Sequence, residues 1–94
     1  MTDLTAHDTD TVLRAILRDV LGLSAERAAG LDSATGLFGA MPELDSMAVA
    51  GLLTEMEDRF DIVIEDDEVD GEMLETYGNL LSFAADKRAA ATRA

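Results

Sequence analysis

The stretch that most constrains the fold runs from Pro42 to Phe60. Pro42 interrupts regular structure, the Asp45-Ser46 pair follows, and apolar residues then recur at Val49, Leu52, Leu53, Met56 and Phe60. That spacing is one face of an α-helix, and a breaker, an Asp-Ser pair and the onset of an apolar period together mark a helix start at Ser46. A helix over Ser46 to Phe60 is about 22 Å long at 1.5 Å per residue. Its apolar stripe has to be buried against another element. The other side carries Glu55, Glu57 and Asp58, and Glu55 can pair with Arg59 one turn on. Gly51, in the interior, costs about 1 kcal/mol relative to alanine. Either the buried face holds the helix regardless, or another surface or a ligand approaches closely at that point.

The rest of the chain supplies partners for that stripe. Val12, Leu13, Ile16, Leu17, Val20 and Leu21 recur at helical spacing. They predict a first helix that is capped by Thr9 or Asp10 and ended by Gly22. A long connection over 23–41 contains Gly30, Gly36 and Gly39, with one short helical turn at Ser24 to Ala29, capped by Ser24 and stopped by Gly30. A connection of this length has to be pinned, and Leu31, Leu37 and Phe38 are expected to pack beneath it. Ile62-Val63-Ile64 has strand propensity but no second strand to pair with, so it reads as an extended connector inserting Ile62 and Ile64 into the core. A short turn within 65–72 and a last helix from near Thr76 to about Arg88 complete the set. The fold class is all-α, a small antiparallel four-helix bundle of three longer helices and one short one with a long first loop. Residues 1–8 are expected to be a flexible N-terminus, 9–88 the folded domain and 89–94 a frayed tail.

Composition removes several functions. Ninety-four residues with 48% apolar content support one core but not a deep enzymatic cleft. A net charge of −13 disfavours nucleic acid and anionic membrane surfaces; it suits a basic protein partner, or it serves solubility alone. No cysteine is present, so the polypeptide offers no disulfide, thiolate or cysteine-based zinc site. His7 is the single histidine and completes no Ser-His-Asp constellation. There is no bilayer-spanning apolar run and no signal-peptide pattern, which predicts a cytoplasmic protein. Asp66, Glu68, Asp70 and Gly71 mimic part of a calcium loop, but Tyr77 stands where the bidentate glutamate belongs. No metal site is expected there.

What remains is Ser46. At a helix start its hydroxyl lies near the surface, beside unpaired N–H groups and the positive end of the helix dipole, where phosphate is readily accommodated. From local chemistry alone, an Asp-Ser pair at a helix start is most often an ordinary cap.

The wider pattern adds a resemblance. Leu44-Asp45-Ser46-Met47, Glu57-Asp58-Arg59-Phe60, Ile62-Val63-Ile64, Asp66-Asp67-Glu68 and Glu75-Thr76-Tyr77-Gly78-Asn79-Leu80 together resemble the acyl carrier protein family, from about Val12 to Lys87. The resemblance implies a free-standing, monomeric carrier that is not itself an enzyme. Ser46, preceded by the motif acid Asp45, would be esterified with 4'-phosphopantetheine from coenzyme A by a separate phosphopantetheinyl transferase. The arm's thiol would hold acyl groups of fatty-acid, polyketide or lipid assembly as thioesters. It further implies that acyl-loading and acyl-transferring enzymes with basic docking patches contact the helix begun by Ser46. Met47, Ala50 and Thr54 would form the apolar side of that contact, with Asp45, Glu57 and Asp58 as its charges. The sequence departs from the family pattern in having Pro42-Glu43-Leu44 where glycine is usual, and Ala48 and Gly51 where acids are common. The Pro-Glu-Leu-Asp-Ser-Met and Asp-Asp-Glu-Val segments are similar to carriers of bacterial exosortase and exopolysaccharide systems. The alternatives are an aminoacyl or peptidyl carrier, a helical interaction module in which Ser46 merely caps, and a calcium-binding module.

Overall fold

The computed structural model describes residues 2–93, with side chains placed over 8–91. Four helices follow one another, α1 (Thr2–Leu21), α2 (Ala25–Ala29), α3 (Ser46–Phe60) and α4 (Tyr77–Arg93), with a 3-10 turn at Asp66–Glu68 between the last two. The architecture is the small helical bundle that the periodicity predicts. α1 touches each of the other three helices. Leu13, Ile16 and Leu17, at i, i+3 and i+4, are fully buried on it, facing Leu52, Met56 and Phe60 of α3 and Tyr77, Leu80 and Ala84 of α4 in one core.

Local signals set most boundaries. α1 stops at Gly22, whose φ of 70° is left-handed, and the Leu23 N–H donates back to the Arg18 carbonyl at 3.1 Å. That six-to-one bond belongs to a Schellman stop, which favours glycine because a Cβ is strained there. Ser24 Oγ accepts from the Arg27 N–H at 3.1 Å, and Gly30 ends α2. Thr76 Oγ1 accepts from the Asn79 N–H at 3.1 Å at the start of α4. Helix extends past the apolar patterns at both ends, from Thr2 rather than near Thr9, and to Arg93 rather than near Arg88. Once a helix is nucleated, each added residue gains a backbone bond without needing a buried face. The side chain of His7 lies outside the described residues.

The long first loop is pinned to the start of α4. The Leu37 N–H donates to the Glu75 carbonyl and the Phe38 N–H to the Leu74 carbonyl, both at 2.9 Å, while Gly36 and Thr76 form an isolated antiparallel bridge. Leu31 and Leu37 are buried as expected, but Phe38 is not: it is 45% exposed. The Leu37 carbonyl accepts from the N–H groups of both Ala40 and Met41, which closes a tight turn. Leu37 and Met41 anchor that turn in the core and leave Phe38, Gly39 and Ala40 at its tip.

Ile62 is buried and Ile64 packs against the core, with Val63 between them turned outward. A polar clasp joins three helices. The Asp10 carboxylate accepts from both Arg14 and the buried Tyr77 hydroxyl, and Arg14 also donates to the Ala28 carbonyl at 2.7 Å. The Arg14 guanidinium lies 4.8 Å from the centre of the Tyr77 ring. Burial, reinforced by the hydrogen bond to Asp10, pushes the Tyr77 phenol well above its ordinary value.

The calcium-like segment is otherwise employed. Glu68 is paired with Lys87 at 2.9 Å, and Asp70 Oδ1 accepts from the Met73 N–H at 2.9 Å. Among the described residues no group of acidic side chains is gathered for a metal ion, and no helix is long and apolar enough to cross a membrane.

Candidate functional site

The site forms where the long loop enters α3. Leu44 (3% exposed) and Met41 are drawn into the core, and the Leu44 N–H donates to the Met41 carbonyl at 3.0 Å. Asp45 follows in an extended conformation, φ −96° and ψ −177°. That geometry carries its carboxylate over the first turn, where Oδ1 accepts from the Ala48 N–H at 2.8 Å. Asp45 is therefore the N-cap, and Ser46 is the first helical residue.

Within the Asp-Ser pair the capping falls to one member only. The cap is Asp45, so the Ser46 side chain is not needed to start the helix. Ser46 is exposed, and among the described residues its hydroxyl has no hydrogen-bond partner. No acidic side chain lies in the first turn of α3, so the positive end of the helix dipole is offset only by Asp45 at the cap. An exposed, unengaged hydroxyl beside backbone N–H groups fits a phosphodiester link.

A second feature of the site was not legible in sequence. Glu43 Oε2 is ion-paired with Arg27 of α2, tying the approach to Ser46 onto the neighbouring helix. The hydrogen bond from Arg27 holds the Glu43 carboxyl below the usual glutamate range, and Glu43 in turn raises Arg27. Nothing local links positions 16 residues apart, so the pairing has no sequence signature. It gives a physical account of the Pro42-Glu43-Leu44 segment, in which Glu43 anchors to α2 and Leu44 to the core. Between the 38–41 turn and the start of α3 lies a shallow cleft of about 330 Å³ with Ser46 in its lining.

The candidate partner residues separate into two groups. Met47 (85% exposed), Ala50, Thr54 and Asp58 are all exposed and follow one another at i, i+3 and i+4 spacings along one stripe of α3. Glu57 is half-buried, because its carboxylate accepts from the Ile64 N–H at 2.9 Å and so holds the connector. Next to the stripe, a groove of about 550 Å³ between α1 and α3 has Gly51 and Val20 in its lining. Arg59 crosses this region, donating to Glu55 at 2.9 Å and to Asp19 of α1 at 2.8 Å.

Residues 11–85 match the family described as "Phosphopantetheine attachment site". No curated protein gives a significant match. Among solved structures, the holo acyl carrier protein of Nitrosomonas europaea, determined by NMR in solution, is similar at 39% identity and a TM-score of 0.73. The alignment covers 84% of this chain and 93% of that one.

Proposed function

The chain belongs to the phosphopantetheine attachment site family, and from that premise we propose that Ser46 is its attachment residue. It is an acyl-carrier-type protein, non-catalytic itself, whose working group is a covalent 4'-phosphopantetheine. The observation that carries the assignment of Ser46 is its exposed hydroxyl, released from capping by Asp45.

The chemistry needed of this chain is small. The Ser46 oxygen forms a new bond to the phosphorus that links pantetheine to the rest of coenzyme A. The pyrophosphate P–O bond breaks, adenosine 3',5'-bisphosphate leaves, and the transferase accepts the hydroxyl proton. The helix dipole favours the resulting phosphodiester charge at the N-terminus of α3. When bound, the arm supplies a thiol that the cysteine-free polypeptide lacks, and that thiol holds cargo as a thioester.

Membership implies encounters with a phosphopantetheinyl transferase and with acyl-handling enzymes. The docking surface in this reading is the stripe of Met47, Ala50, Thr54 and Asp58, met by basic patches that the net charge of −13 would steer toward it. Glu57 contributes at the margin of that surface, since its carboxylate already holds Ile64. The protein acts in the cytoplasm as a monomer on acyl cargo, and the Pro-Glu-Leu-Asp-Ser-Met segment favours the exosortase and exopolysaccharide type of carrier. The folded carrier unit is 9–88.

Incubation with coenzyme A and a promiscuous phosphopantetheinyl transferase, followed by intact mass measurement, tests the assignment. The expected result is one phosphopantetheine added to the native chain and none to Ser46→Ala. Unchanged mass in the native chain, or equal loading of Ser46→Ala, removes Ser46 from the role.

A further inference from the structure

We propose that the cleft beside Ser46 is the resting place of the prosthetic arm, and that Phe38 is the surface against which the arm's pantoyl portion lies. This inference rests on Ser46 being the attachment residue. Three independent features of the fold lead to it.

The first is an aromatic side chain that the turn leaves partly exposed. Phe38 is 45% exposed at the tip of the 38–40 turn, while its neighbour Leu37 is completely buried. Leaving so large an apolar side chain half in water forgoes stabilisation that its burial would supply. Among the described residues nothing covers that exposed part.

The second is that the wall carrying Phe38 is built before any arm arrives. Leu37 is locked into the core and its carbonyl closes the turn through Ala40 and Met41. The Phe38 N–H is held by the Leu74 carbonyl at 2.9 Å. Across the cleft, Leu44 is buried and Asp45 is fixed as the cap of α3. A surface ordered in advance loses little entropy when something settles on it.

The third is continuity. Ser46 itself lines the cleft together with Phe38, Met41, Pro42 and Leu44. An arm esterified to Ser46 begins within the lining of the cleft, at an effective concentration in the millimolar range expected of a short flexible tether. At that concentration even an intrinsic dissociation constant of about 1 mM would seat the arm for roughly half of the time. A contact this weak shields the arm's geminal methyl groups from water yet releases the arm readily into a partner. Because the cleft is shallow and open, the arm's amides keep their solvent while its methyl groups meet the ring. Tethering favours the arm over any untethered apolar ligand, and makes it the occupant to which the geometry commits.

The test compares apo and holo forms of isotopically labelled protein by NMR, with intact mass confirming the loading of each sample. Seating predicts shift changes on loading for the amides within 38–44, Pro42 having none, and cross-relaxation between the pantoyl methyl groups and the Phe38 ring. In Phe38→Ala, which removes an exposed side chain and should leave the fold intact, the mass gain persists while the shift changes over 38–44 are lost. Shift changes confined to Ser46 and its immediate neighbours, or the same changes in Phe38→Ala, overturn the proposal. So does cross-relaxation of the methyl groups with α3 and α4 side chains instead. The native apo-to-holo comparison needs no variant and decides the matter even if Phe38→Ala misfolds. Failure of the native chain to gain mass overturns the Ser46 assignment and, with it, this proposal.

Discussion

Replacing Gly51 by alanine is the most informative single change in α3. The residue sits in the sixth position of a fifteen-residue helix, where glycine gives up about 0.8–1.0 kcal/mol relative to alanine. Part of that figure comes from the unfolded chain, which loses fewer conformations when its residue is alanine. The native backbone imposes no requirement for glycine, since among the described residues positive φ occurs at Gly22, Gly39 and Asp61 only. Space is also available. A Cβ at position 51 would meet Val20 Cγ1 at 3.7 Å, an ordinary van der Waals separation. The substitution should therefore stabilise by about 1 kcal/mol. In a 94-residue domain that is a rise in Tm of about 4–8 °C. With a urea m-value of about 1–3 kcal/mol/M, it is a shift in midpoint of about 0.3–1 M. Paired thermal and urea unfolding, followed by circular dichroism, measures both. An unchanged or lowered stability would refute the reasoning, because it would mean that α3 packs against α1 too tightly at Val20 to admit a methyl group. Since neither backbone nor packing calls for glycine, two reasons for it remain: tolerance by a helix held through its buried face, or close approach of a partner to the groove beside Ala50 and Thr54. Time-resolved mass measurement of transferase loading separates them, with Gly51→Ala loaded more slowly under close approach and at the native rate under tolerance.

Three further outcomes are expected. Asp45→Ala should cost about 1 kcal/mol through loss of the cap bond to Ala48, whereas Ser46→Ala, an exposed residue with no bond to lose, should stay within about 0.5 kcal/mol of the native chain; urea midpoints for the two variants test the assignment of the cap. Gly78→Ala should destabilise by about 1–3 kcal/mol, because its Cβ would lie 2.9 Å from both Cβ and the carbonyl oxygen of Ser33, and the loop would have to leave α4; a Tm equal to the native value would contradict that close approach. The Arg27 and Glu43 pair should be pH-dependent. Because Glu43 is depressed in the folded state, its contribution is present above the ordinary glutamate range of about 4.3 and is lost as the pH falls through the folded value. Glu43→Gln should accordingly be less stable than the native chain at pH 7, and the difference should vanish in acid; a gap of constant size from pH 7 to 3 would exclude the ion pair as its source.

Much of the chain is governed by interactions that reach only three or four residues. The span of α3, the stop at Gly22, the cap at Ser24 and the stop at Gly30 all follow from spacing and residue type, and the structure has each in place. The same local logic brings Ser46 to the start of a helix, which is why the attachment candidate could be named from sequence. Which member of the Asp-Ser pair performs the capping could not, because either oxygen can reach an N–H; only the folded backbone turns Asp45 over Ala48 and leaves Ser46 unengaged. Tertiary structure alone also decided the outward turn of Phe38, the Arg27 to Glu43 tie, the inward use of Glu57 by Ile64 and the clasp of Asp10, Arg14 and Tyr77. Apart from Glu57, which reaches the connector just past its own helix, these depend on closing loops between segments distant in sequence, down to the Gly36 and Thr76 bridge across forty residues. Periodicity says which faces are apolar. It carries no record of which distant backbone groups will satisfy one another when those faces meet.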